Sequence, residues 1–151
     1  YVLFLILPHI DPKKKLQNMG NKYHNLRLVL TAFMSILAIY ILYSVQQKSS
    51  RPDFVFSIVG LLFAVLGFYF RKIEPNYFIG IRTPWTLESE DVWRKTHLFA
   101  SKFWIVGGII LSFTFVAPQK IQLFLFISIT IIISVTPIIY SYITFNKTKK
   151  Y

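Results

Sequence analysis

The residues whose types best suit binding chemistry lie in one short segment, around Arg82. Arg82 stands between Gly80 and Pro84 and close to Trp85. A guanidinium carries five N–H donors in a planar fork, which suits a carboxylate, a lipid phosphate or several backbone carbonyls. These residue types leave two interpretations open. Arg82 and Trp85 either anchor the loop among lipid headgroups or form part of a binding surface.

No catalytic or metal-binding pattern accompanies this segment. The histidines His9, His24 and His97 are scattered without the H-E-x-x-H spacing of a metallopeptidase, and the chain contains no cysteine. A P-loop, a Gly-rich phosphate cradle and a Ser–His–Asp order are also absent from the sequence. We therefore expect no enzyme activity, no cofactor, no metal ion and no small-molecule substrate.

The elements that must position this segment are long and apolar. The chain has 151 residues, of which 54% are hydrophobic and 15% are charged. A helix needs about 20 apolar residues, with a range of roughly 17–25, to cross a bilayer core. Uncharged runs of this kind occupy residues 28–47, 54–70, 103–119 and 121–146. The sequence therefore predicts an all-α, polytopic transmembrane helix bundle with four full spans, and it excludes a disordered chain.

Proline, glycine and charge divide the chain into six segments. Residues 1–10 are apolar and end at Pro8-His-Ile-Asp-Pro12, which predicts the end of a truncated transmembrane helix. The predicted segments that follow are a basic cytoplasmic loop at 11–27, a transmembrane hairpin at 28–70, a cytoplasmic motif loop with an amphipathic interfacial helix at 71–102, a second transmembrane hairpin at 103–146 and a basic tail at 147–151. Whether the beginning of the motif loop, residues 71–88, enters the membrane stays open.

Positive charge indicates the orientation of the chain. The regions 11–27, 71–102 and 147–151 carry fourteen of the seventeen Lys and Arg residues. The remaining three are Lys48, Arg51 and Lys120. Because Lys and Arg accumulate on the cytoplasmic side of membrane proteins, the sequence predicts a multi-pass protein of the cell membrane with a cytoplasmic C-terminus. The net charge of +11 then needs no direct nucleic-acid binding to explain it.

Small and hydroxyl residues predict which helix faces meet. Small residues let membrane helices approach closely, and hydroxyl groups find partners between helices. One such stripe comprises Ser57, Gly60, Ala64 and Gly67, and a second comprises Thr130, Ser134, Pro137, Ser141 and Thr144. We expect both stripes to face neighbouring helices.

The interfacial helix is predicted from its cap and its charges. Ser89 is a good N-cap, and Asp91 with Lys95 forms an acid-first pair four residues apart. Its apolar side is expected to lie against the membrane interface. Tryptophan is enriched at that level, so we expect an aromatic belt formed by Trp85, Trp93 and Trp104.

The motif loop carries a resemblance to a known family. The run Pro75-Asn-Tyr-Phe-Ile-Gly-Ile-Arg-Thr-Pro-Trp-Thr-Leu87, followed by Val92-Trp-Arg-Lys-Thr-His97, resembles the signature of the SdpI family of bacterial multi-pass membrane immunity proteins. Relatives usually have six helices, and the resemblance implies that the first helix, the extracytoplasmic loop after it and most of the second helix lie outside this sequence. The candidate binding or functional residues are Asn76, Gly80, Arg82, Thr83, Pro84, Trp85, Trp93 and His97.

The resemblance also implies a function and partners. It implies a membrane protein that protects a bacterium from a secreted toxic peptide, and that in the type system also signals by holding a cytoplasmic repressor at the membrane. The expected partners are thus the lipid bilayer, a secreted toxin peptide and a repressor. An alternative function is that of a small membrane transporter or lipid-binding membrane protein, favoured by the polar stripe along the last helix.

Overall fold

The computed structural model describes residues 2–11, 17, 19–46 and 52–149. Within these ranges the chain is helical and contains no strand, which confirms the predicted all-α class. The helices are α1 (Val2–Ile10), α2 (Asn21–Gln46), α3 (Pro52–Phe70), α4 (Pro84–Glu88), α5 (Glu90–Ser112), a 3-10 turn (Thr114–Val116) and α6 (Gln119–Thr148). The lysine run at 13–15 and the predicted external turn with Lys48 and Arg51 lie outside the described residues.

Within the described residues, three helical segments are long and apolar enough to cross a membrane. They are α2, α5 together with the 3-10 turn, and α6. The apolar part of α3, Phe54–Phe70, is shorter and lies at the lower end of the spanning range. The chain is therefore a multi-pass membrane protein built as a helical bundle.

Two helix boundaries differ from the sequence expectation. Helix α2 begins at Asn21, so the second half of the predicted basic loop forms the first two turns of a helix. The fourth apolar run is helical only as far as Ser112, followed by the 3-10 turn. Thr114 Oγ donates to the carbonyl of Leu111 at 2.7 Å, which helps to satisfy the carbonyl groups that every helix end leaves open.

Helices α3 and α5 pack backbone to backbone. A Cβ atom at Gly60 would lie 2.5 Å from the Ser112 nitrogen, and one at Gly67 would lie 2.8 Å from the Ile105 nitrogen. On the other side of the contact, a Cβ at Gly108 would overlap the backbone of Ala64. The predicted small-residue face of α3 is confirmed, because only small residues permit this distance.

Helix α5 makes a second close contact on its other side. A Cβ at Gly107 would lie 2.5 Å from the Cγ2 atom of Ile133 in α6. Trp104 strengthens this contact, since its Nε1 donates to the carbonyl of Ile133 at 2.9 Å. The adjacent glycines Gly107 and Gly108 thus place α5 between α3 and α6.

The polar end of the bundle has a small core of its own. Met19, Tyr23, Ile73 and Trp93 are buried together, and the Tyr23 hydroxyl donates to the carbonyl of Phe4. The core joins the beginning of α2, the loop after α3 and the first turn of α5. The core therefore holds these three segments together at the polar end of the bundle, where it positions the motif loop.

Candidate functional site

The motif loop, residues 71–89, begins with a turn organised by Asn76. The side chain of Asn76 is 3% exposed. Its Oδ1 accepts from the backbone N–H groups of Phe78 and Ile79, at 2.9 and 2.7 Å. Its Nδ2 donates to the carbonyls of Glu74 and Ile79. A buried loop requires partners for its backbone groups, and one asparagine supplies them for this turn.

Gly80 and His97 hold the loop against α5. Gly80 has a φ of +111°, a conformation that favours glycine, and a Cβ there would lie 2.5 Å from the His97 Nε2 atom. That nitrogen accepts from the N–H of Ile81 at 2.9 Å, and Nδ1 bonds to the Trp93 carbonyl at 2.8 Å. Because Nδ1 must donate and Nε2 must accept, the neutral Nδ1–H imidazole satisfies both bonds.

Trp93 completes this interlock. Its indole stacks on the His97 ring with centroids 4.2 Å apart, and its Nε1 donates to the Ile73 carbonyl at 3.1 Å. The side chain is 1% exposed. The expected position of Trp93 in an aromatic belt is therefore wrong. The apolar side of this helix turn is covered by the protein's own loop. An amphipathic sequence pattern is the same whether protein or lipid covers the apolar side.

Thr83 and Pro84 begin the short helix α4 and connect it to α6. Thr83 is the N-cap of α4, Pro84 occupies its first turn, and Thr83 and Thr86 form a reciprocal capping box. The hydroxyls of Thr83 and Ser141 are 3.1 Å apart. Ser141 belongs to the polar stripe predicted from the sequence, and its contact with Thr83 gives part of that stripe a neighbour.

Arg82 and Trp85 lie at the outer side of the loop. An Nη atom of Arg82 donates to the carbonyl of Tyr77, so the guanidinium closes the loop across five residues while the side chain stays exposed. The Trp85 ring lies 5.0 Å from the ring of Tyr142 in α6 and is partly buried. The exposure of Arg82 is compatible with both interpretations, an anchor among lipid headgroups and part of a binding surface.

The structure therefore separates the eight candidate residues into two sets. The buried or conformationally required set, which builds the loop, comprises Asn76, Gly80, Thr83, Trp93 and His97. The outer set, which reaches the surface, comprises Arg82, Pro84 and Trp85. All eight lie in one folded unit that joins α4, α5 and α6.

Sequence reasoning missed two residues of this unit. Thr86 is 1% exposed and its Oγ donates to the carbonyl of Ile81 at 2.8 Å. Its signal was the T-x-x-T spacing from Thr83, which marks a helix start. Ser101 accepts from Arg71 Nε at 3.0 Å, and no local pattern connects two residues in different elements.

The loop offers no cluster of metal-binding side chains. Across residues 2–11, 17, 19–46 and 52–149, no three His, Cys, Asp or Glu side chains come together as a metal site requires. The partners of His97 are a backbone N–H, a backbone carbonyl and two aromatic rings. The arrangement is suited to holding backbone in place rather than to acid–base chemistry.

Comparison with known proteins gives matches over part of the chain. Residues 72–141 match the model of the SdpI/YfhL protein family. A stretch of 54 residues is 43% identical to "Immunity protein SdpI" of Bacillus subtilis (strain 168). This part of the chain resembles the SdpI/YfhL family. The aligned stretch covers 36% of this chain and 26% of the Bacillus subtilis protein, so the chain spans about a quarter of that relative's length. No solved structure matches the chain.

The SdpI/YfhL match coincides with the folded unit described above. It begins two residues after the end of α3 and ends at Ser141, the partner of Thr83 in α6. All eight candidate residues lie inside it. The resemblance therefore covers the motif loop from residue 72, all of α5 and α6 as far as Ser141.

Proposed function

We propose that this chain is part of an immunity protein that protects a bacterial membrane from a secreted toxic peptide. The observation that carries the proposal is the match of residues 72–141 to the SdpI/YfhL family, combined with identity to a named immunity protein over 54 residues. The helices that such a protein needs to lie in the membrane are those described above.

In this proposal the motif loop has a positioning role. It lies at the basic end of the bundle, and the charge bias supports a cytoplasmic location for this end, whereas a secreted peptide approaches from outside. The peptide then meets the helices, and the loop fixes how α5 and α6 stand relative to each other through His97 and Thr83. The outer residues Arg82 and Trp85 are left for a partner on the cytoplasmic side.

The repressor-holding role implied by the resemblance would use this same face. Arg82 is exposed and Trp85 is partly exposed beside it, a pairing suited to an acidic or aromatic surface. We propose this surface as the place where a cytoplasmic repressor is held. Loss of repressor recruitment in an Arg82→Ala, Trp85→Ala double variant that reaches the membrane at the parental level would support this role, and unchanged recruitment would contradict it.

Immunity itself is tested in the organism that carries the gene. A strain lacking the complete reading frame is exposed to culture supernatant of its own parent strain, and survival is compared with that of the parent. We expect the deletion strain to die and to be rescued by the complete frame. Equal survival of the two strains would contradict an immunity function.

The role of Arg82 is tested in the rescued strain. We expect Arg82→Lys to lose nearly as much protection as Arg82→Ala, because a point charge does not reproduce the planar fork. Lys102→Ala serves as the control, since Lys102 is exposed on α5 outside the loop. Protein levels in the membrane are measured for each variant. Full protection by Arg82→Lys would show that the residue acts only as a positively charged anchor.

A further inference from the structure

A crevice opens between the first turns of α2 and the end of α3. It has a volume of about 460 Å³, and none of the eight candidate residues of the motif loop lines it. Asn25 and Leu26 of α2 form one wall, and Phe68 and Tyr69 of α3 form the other. Since both walls pass from polar to apolar residues within two helical turns, the crevice lies where the bundle passes from water to hydrocarbon.

The rim of the crevice is cationic. Lys22, Arg71 and Lys72 all line it. Arg71 is held in place by the hydrogen bond from its Nε to Ser101, and its guanidinium carbon lies 5.6 Å from the centre of the Phe68 ring. Lys22 lies 3.3 Å from Glu74, so one carboxylate stands against three cations. The rim keeps a net positive charge.

The apolar part of the crevice is partly uncovered. Its residues Leu26 and Ile73 are buried, whereas Phe68 is 56% exposed. An exposed aromatic ring directly below a cationic rim provides a surface for an acyl chain under a site for a phosphate. A basic pocket between helices on the cytoplasmic side is the form that anionic headgroup sites take in membrane proteins.

We propose that this crevice binds an anionic phospholipid. The phosphate lies among Lys22, Arg71 and Lys72, and an acyl chain follows the exposed face of Phe68. Charge complementarity and the level of the crevice in the bundle select this occupant. Lipid binding here is independent of the immunity function, because none of the eight candidate residues lines the crevice.

The cationic rim is tested by titrating the purified chain with lipid and detecting the bound lipid by native mass spectrometry. We expect phosphatidylglycerol to remain bound where phosphatidylcholine is lost. We also expect Lys22→Gln and Lys72→Gln each to weaken phosphatidylglycerol binding by about fivefold, as expected for one cation near a lipid surface. Both side chains are exposed, so these variants keep the fold, which circular dichroism checks. The matched controls are Lys102→Gln and Lys147→Gln, which remove the same charge from exposed positions outside the crevice.

A further variant tests the apolar part of the crevice. Phe68→Ala is expected to weaken phosphatidylglycerol binding while every cation stays in place. Leu61→Ala, an exposed position on the same helix, is the control and should have no effect. Inorganic phosphate at millimolar concentration should fail to displace the lipid, because phosphate alone gains nothing from Phe68.

Four outcomes would overturn the proposal. Equal weakening by the crevice and control lysines would mean nonspecific attraction, and equal retention of the two lipids would mean a site without charge selection. Displacement by inorganic phosphate would identify a simple anion site. A lipid-free dimer that Phe68→Ala dissociates would place a second copy of the chain in the crevice.

Discussion

Helices α5 and α2 are both long and apolar enough to span a membrane, yet they are packed in opposite ways. In the most apolar stretch of α5 and the 3-10 turn, a third of the residues are buried inside the protein. In the most apolar stretch of α2, no residue is buried. Helix α5 meets its neighbours through Gly107 and Gly108. The buried residues of α2, Tyr23 and Leu26, both lie in its first two turns, and the crevice opens beside them.

The difference follows from side-chain size rather than hydrophobicity. Lipid tails are as apolar as leucine, so an apolar face gains little by leaving lipid for another helix. Close packing is gained where small residues bring two backbones together, as on α3 and α5. Helix α2 has no glycine between Asn21 and Gln46. It therefore leaves its bulky side chains, such as Ile39 and Leu42, exposed.

The largest effect is expected where the tight contact is forced apart. Gly108→Leu should abolish the α3–α5 contact, because even a Cβ at this position overlaps Ala64. Overpacking of this kind costs about 3 kcal/mol or more of unfolding free energy. Thermal unfolding in detergent measures the loss. Val106→Leu, which adds bulk at a position 58% exposed, is the control, and an equal loss in both variants would contradict the packing.

The next largest effect is expected at the loop interlock. Gly80→Ala should destabilise the protein by about 2–3 kcal/mol, since a positive φ strains alanine and the new Cβ pushes against His97. The measurement is again thermal unfolding, with Gly20→Ala for comparison. Gly20 also has a positive φ, +49°, but nothing lies within 4 Å of its Cβ position. A loss at Gly80 no greater than that at Gly20 would argue against contact with His97.

A smaller effect is expected for the hydrogen bonds of His97 taken alone. His97→Phe keeps a ring to stack on Trp93 but leaves the Ile81 N–H without its acceptor. An unmade buried hydrogen bond costs about 1–3 kcal/mol. Hydrogen exchange at the Ile81 amide should speed up in this variant more than in His24→Phe, a change at an exposed histidine. Unchanged exchange would mean that the bond does not hold the loop.

The smallest effect is expected on α2. Ile39→Ala should change the free energy of unfolding by less than about 0.5 kcal/mol, because the side chain is 66% exposed. The matched change is Ile133→Ala in α6, which is 2% exposed and should cost about 2–4 kcal/mol. Comparable losses at the two positions would reveal that α2 is covered by a further partner.

The sequence predicted the face of α3 that packs against α5, because glycines spaced along one side of a membrane helix let another helix approach closely. It did not predict the double contact of α5, since two adjacent glycines fit no single helical stripe. Nor did it predict the partners of His97, because the Ile81 N–H lies sixteen residues earlier and across a non-helical loop. Periodicity describes one element at a time, whereas these contacts join elements.

The hydrogen bond between Thr83 and Ser141 has a consequence for how the protein is made. The two residues are 58 positions apart, so while α6 is still inside the ribosome the loop has been synthesised without its final partner. During that interval the Thr83 hydroxyl and the Trp85 ring lack their partners in α6. An unfinished copy therefore exposes loop groups that α6 contacts in a finished copy. Chains truncated before Ser141 are expected to be degraded by membrane proteases faster than chains truncated after Phe145.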